Sequence, residues 1–143
     1  IIRSCVFNCY KLEEKNINRP SYKVLYFRDD ASRRKMLNYN NDLNHLFDEI
    51  IVDMGSKTFE EQVSLFHKTT HFVTIEGAHL TNIIFMNVNT KILVFSPIRN
   101  SWQEMFGTST LVNQFEIKTT GGDFNSNIDY NDNIKNKTIN FLL

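Results

Sequence analysis

FVTIEGAHLTNIIF, residues 72–85, is the segment from which the architecture follows. Its first four residues are apolar or β-branched and suit a buried strand, HFVTI counting from His71. Glu76 and Gly77 interrupt that run. Leu80, Ile83 and Ile84 then fit one face of a helix from Ala78 to Met86, with His79 and Asn82 sharing another face that points to a cleft or to solvent. A strand feeding a helix through a tight turn is one βα unit.

The same rhythm extends in both directions. Tyr22 to Phe27 (YKVLYF), Glu49 to Asp53 (EIIVD), Lys91 to Phe95 (KILVF) and Gln114 to Lys118 (QFEIK) read as further strands. They recur at intervals of roughly 20 to 27 residues, which leaves room for a crossover each time. Between them the sequence predicts helices over residues 1–12, along the stripe Met36, Tyr39, Leu43, Leu46, Phe47, from Thr58 to Thr69, over SWQEMFG (closed by Gly107), and over the final YNDNIKNKTINFLL. Thr58 and Glu61 have the T-x-x-E spacing of a capping box. Pro20 ends the first helix and Ser96-Pro97 ends the fourth strand. FVTI and ILVF are continuously apolar, as strands covered on both faces are. The expectation is one α/β domain over residues 1–143: a three-layer, doubly wound, mostly parallel sheet.

Bulk properties narrow the function. Sixteen Lys and Arg balance sixteen Asp and Glu, so no global basic field exists to hold a nucleic-acid backbone. No apolar run is long enough to span a bilayer. Cys5 and Cys9 have no histidine or second cysteine pair nearby, which argues against zinc and for two free thiols. The first residue is Ile, and the expectation is that this is part of a longer polypeptide.

Two clusters carry chemistry. In an open α/β sheet, ligands bind beyond the carboxyl ends of the strands. The Glu76–Asn82 turn lies there, and a helix start offers unpaired N–H groups and partial positive charge suited to phosphate. Gly77 allows close approach to the backbone, Ala78 preserves most of that room, and His79, Thr81 and Asn82 add donors. The second cluster, FRDDASRRKMLN, leaves the first strand at the same edge. Its Arg28, Arg33 and Arg34 suit phosphate oxygens, although Asp29 and Asp30 could equally neutralise them on a wet surface. The three-glycine dinucleotide fingerprint and the P-loop signature are both absent.

Arg28, then Ser32-Arg33-Arg34 with Asn38, then FEEQVSLF, GAHLTNIIF and a strand ending in Ser96-Pro97 resemble the carboxyl-terminal half of glycosyltransferase family 61. The resemblance runs from about Tyr22 to Gly107. It implies the Rossmann-like, nucleotide-binding half of a GT-B enzyme. It also implies inverting transfer from a nucleotide sugar, UDP-linked by expectation, with no bound metal and no other cofactor. The acceptor would be a glycan or glycoprotein, and a separate amino-terminal domain would complete the enzyme. Arg28 and Arg33 would meet the diphosphate; Gly77, Ala78, Thr81 and Asn82 correspond to the family's HGAGLTN turn. Glu76 stands where the family has His, and His79 where it has Gly. Glu76 would then accept from a ribose hydroxyl, and His79 would replace the missing imidazole. No general base is identified. A non-catalytic nucleotide- or sugar-binding domain and a ligand-free, flavodoxin-like interaction module stay open beside this reading.

Among the remaining singled-out residues, His67 flanks a helix end, His71 a strand start, and His45 lies among asparagines as a surface residue. Trp102 is either a sugar-stacking ring or a partly buried anchor. Free thiols and an Asn-rich composition lean toward a cytoplasmic microbial or large-virus setting, the secretory pathway being the other possibility. The sequon Asn136-Lys137-Thr138 arises readily by chance in such a chain.

Overall fold

The computed structural model describes residues 2–14, 18–98 and 114–143. Chain order is α1 (Ile2–Cys9), β1 (Lys23–Tyr26), β2 (Met36–Leu37), a 3₁₀ turn (Asn44–Leu46), β3 (Glu49–Ile50), α2 (Phe59–Lys68), β4 (His71–Ile75), a 3₁₀ helix (Ala78–Phe85), β5 (Lys91–Ser96), β6 (Gln114–Thr119), β7 (Ile128–Asp129) and α3 (Asp132–Leu142). Five strands form one sheet in the order β3-β1-β4-β5-β6, and every pairing in it is parallel. β2 and β7 form a separate two-stranded parallel ribbon.

Strand alternation explains the apolar runs. Val24, Tyr26, Phe72, Ile92 and Val94 face one side and pack with Val63 and Phe66 of α2 and Leu80 and Ile83 of the 3₁₀ helix. Leu25, Phe27, Val73, Ile75, Leu93 and Phe95 face the other and pack with Met36, Ile128 and Ile134 of α3. Both faces are therefore dry, and the α/β three-layer architecture is the one the sequence predicts. α2 starts on the complete capping box: Thr58 accepts from the Glu61 N–H, and the Glu61 carboxylate accepts from the Thr58 N–H.

Two predicted helices have a different form. Met36 to Phe47 is not a helix: Met36–Leu37 joins the β2–β7 ribbon, and only Asn44–Leu46 turns, as 3₁₀. Asn38 and Asn41 sit at φ 59° and 64°, left-handed conformations that break any helical run there. The segment after Gly77 is 3₁₀ rather than α. Its fully buried residues Leu80, Ile83 and Met86 recur every third position, the period of a 3₁₀ helix. The predicted helix SWQEMFG, with Trp102 and Gly107, lies outside the described residues. Among the described residues no helix is long and apolar enough to cross a membrane.

The order β3-β1-β4 fixes where a ligand crevice belongs. From β1 the chain moves outward to β3, then returns across β1 to β4 and continues to β5 and β6. The winding reverses between β1 and β4, and beyond the carboxyl ends of those strands such sheets place their ligands. β1 leads into Phe27 and Arg28; β4 leads into Glu76 and Gly77.

Candidate functional site

Arg28 and Gly77, distant in sequence, meet at this reversal point. The Arg28 Nη1 donates to the Glu76 carbonyl at 2.5 Å. The guanidinium lies so close over Gly77 that a Cβ there would stand 2.9 Å from Arg28 Cζ. Arg28 holds φ 60° and Arg34 φ 51°, a left-handed backbone that costs a side-chain-bearing residue roughly 1–2 kcal/mol. Strain of this kind gathers at sites that use it. Burial, and next the charge of Arg34, pull the Arg28 guanidinium below its ordinary pKa, while Tyr26 and Asp30 pull it back. Tyr26 donates to Asp30 at 2.7 Å, and the other oxygen of Asp30 accepts from the Met54 N–H, which fixes the loop carrying Arg28.

Glu76 is not free to meet a ribose. It is 2% exposed. One carboxylate oxygen lies 2.6 Å from the Ser96 hydroxyl, whose single proton it shares with the Ile98 carbonyl at 2.5 Å, and the other lies 3.4 Å from Arg34 Nη1. Arg34 is the arginine that turns inward, over the Phe124 ring at 4.6 Å; Arg33 is exposed. No helix follows these arginines, because the chain enters β2 at Met36 instead.

His79 also differs from expectation. Its ring turns under the turn rather than out to solvent: Nε2 is 2.9 Å from the Thr74 hydroxyl, and the ring packs edge-on against Tyr26. The Thr74 hydroxyl donates to the Tyr26 carbonyl at 2.8 Å, so His79 donates from Nε2 and its Nδ1 carries no proton. Burial, then the charges of Arg28 and Arg34, lower its pKa to about 3. Around neutral pH it is an uncharged packing group, unable to supply a cation to phosphate. Thr81 bonds back to the Ala78 carbonyl, and Asn82 donates to Gln62 of α2 at 2.8 Å. Both therefore brace the turn, while Ala78 is exposed at its mouth.

The Leu80 N–H closes the first turn on the Gly77 carbonyl; the amides before it have no partner within the 3₁₀ helix. The edge thus combines two guanidinium groups, one buried carboxylate and the start of a helical segment. Ser96, Tyr26 and Gln62 join the site through partners that sequence spacing does not reveal, although Ser96 stands at the end of its strand, where ligand-facing residues gather. Arg19, at the other edge of the sheet, donates to the His67 and Thr69 carbonyls and so ends α2 structurally.

The sequence profile described as Glycosyltransferase 61 matches residues 2–93, more than half of the chain. The match takes in β1, both arginines and the whole Glu76–Asn82 turn, and it ends inside β5. No curated protein matches the chain.

Proposed function

Because the chain belongs to glycosyltransferase family 61, we propose that it is the donor-binding domain of a transferase that moves a sugar from a nucleoside diphosphate to a glycan or glycoprotein acceptor. The observation that supports this reading is the Arg28 guanidinium lying on Gly77 at the reversal point of the sheet. The diphosphate would lie there, against Arg28 and the amides that open the 3₁₀ helix. UDP is the nucleotide proposed.

The transfer proposed is inverting. An acceptor hydroxyl attacks the anomeric carbon, the bond to the diphosphate oxygen breaks, and the hydroxyl proton passes to a base. Charge grows on the departing diphosphate, where guanidinium and amide donors stabilise it without a metal ion. The base is assigned to a separate amino-terminal domain. His79 is held neutral against Thr74 and Glu76 is enclosed by Ser96 and Arg34, so neither is presented to an acceptor. This chain alone would then bind nucleotide weakly and not turn over. The same two observations favour, as the second reading, a nucleotide-binding domain with no catalysis in any context.

Titration with UDP, followed by amide shifts, tests the site. Shifts are expected at Arg28 and Gly77, and Arg28→Ala should weaken binding about tenfold or more, as loss of charge-assisted hydrogen bonds does, with a stability cost of roughly 1–3 kcal/mol for the Glu76 carbonyl left without its donor. Absence of shifts there would leave a ligand-free interaction module. Turnover of a panel of sugar nucleotides by the intact protein, with chelator and with assignment of product stereochemistry, separates transferase from binding domain. A strict metal requirement or a retained configuration would overturn the mechanism.

A further inference from the structure

Glu76 meets Arg34 through a single 3.4 Å contact, longer than the 2.7–2.9 Å typical of a charge-assisted bond. Its other oxygen is taken by Ser96 at 2.6 Å, and its backbone carbonyl by Arg28 at 2.5 Å. Arg34 has a side chain 14% exposed, and its Nε is buried with no hydrogen-bond acceptor among the described residues. The carboxylate therefore offsets the charge of this guanidinium while using little of its donor capacity. An anion entering beside Gly77 meets Arg28, on which Asp30 acts more weakly than burial, Arg34 or Tyr26 and has both oxygens taken by Tyr26 and the Met54 N–H, but meets Arg34 with a negative charge in ion-pair contact at its side. Such a buried charge is felt strongly because little water screens it.

We infer that Glu76 is a built-in counter-anion: it sets the net charge that the crevice offers to a phosphate-bearing ligand, and so is a specificity-determining residue. The inference rests on the reading of this crevice as a phosphate site. It assigns unequal roles to the two arginines. Arg28 supplies net positive charge, and Arg34 supplies donors without it. Ligands with less negative charge lose less from this arrangement than a diphosphate does.

The test is calorimetric titration of the full chain with inorganic pyrophosphate and with UDP, for wild type, Glu76→Gln, and the double variant Arg34→Gln/Glu76→Gln, with circular dichroism as the fold control. Glu76→Gln keeps a partner for Ser96 and should bind pyrophosphate about tenfold tighter, with a steeper loss of affinity as salt is raised. The double variant removes both charges together, a change that folds tolerate better than removal of one. It should stay within about threefold of wild type, because the pair contributes no net charge and glutamine keeps an amide donor in place of the guanidinium. Equal or weaker binding by a folded Glu76→Gln, or a tenfold loss in the double variant, overturns the inference while leaving the nucleotide site standing. Binding by Glu76→Gln but not by wild type supports the inference and removes the donor-binding role of the native chain. If neither binds pyrophosphate or UDP, both fall.

Discussion

An alanine at position 77 would put its Cβ 2.9 Å from Arg28 Cζ and Nη1 and from His79 Nδ1. The backbone there is extended, at φ 177°, so the demand for glycine comes from space and not from conformation. Something must move, and the free end of Arg28 is the most mobile of the neighbours. Gly77→Ala should therefore displace the guanidinium, weaken UDP binding about tenfold, and cost roughly 1–3 kcal/mol of stability, the usual toll of overpacking. Chemical denaturation and UDP titration read the two effects separately. Unchanged UDP affinity would show that the position of the guanidinium does not matter to the ligand.

Among the elements, α2 holds the turn in place. Its Gln62 receives Asn82, and its start depends on Thr58. Thr58→Ala should cost about 1 kcal/mol, the typical worth of a helix cap, seen as a lower urea midpoint with nucleotide binding preserved. The capping box was legible because it needs only local spacing. So were β1, β4 and β5, whose apolar runs have no other home than a sheet covered twice. The stretch from Met36 to Phe47 was not. Its apolar spacing suits a helix, yet left-handed Asn38 and Asn41 and pairing with distant β7 override it. The 3₁₀ form after Gly77 had a signal in the threefold spacing of Leu80, Ile83 and Met86. The meeting of Arg28 with Gly77 followed from two strands ending on one edge. The choice of Arg34 over Arg33 did not, since it depends on a loop with no periodicity.

For the molecule as a whole, two half-buried histidines tie folding to acidity. His79 is lowered to about 3, chiefly by burial and then by Arg28 and Arg34. His71 is lowered to about 4, chiefly by burial and then by Lys91, Lys23 and Arg19. In the unfolded chain both return toward 6.5. Between that value and the folded ones, the unfolded state binds more protons, so stability is fully present above 6.5 and declines as pH falls. Urea midpoints should drop from pH 7.5 to 5.5, and His79→Gln, which can still donate to Thr74, should flatten the decline. Equal slopes in the two proteins would remove His79 as a source.

The left-handed backbone at Arg28 and Arg34 has an evolutionary corollary. Asparagine accepts that conformation more readily than arginine does, so each position trades resilience for a charged side chain. In a library of variants enriched for heat resistance alone, with no nucleotide in the medium, asparagine should replace Arg34 only alongside a neutralising change at Glu76, since either change alone strands a buried charge, and enrichment under nucleotide should restore the arginine.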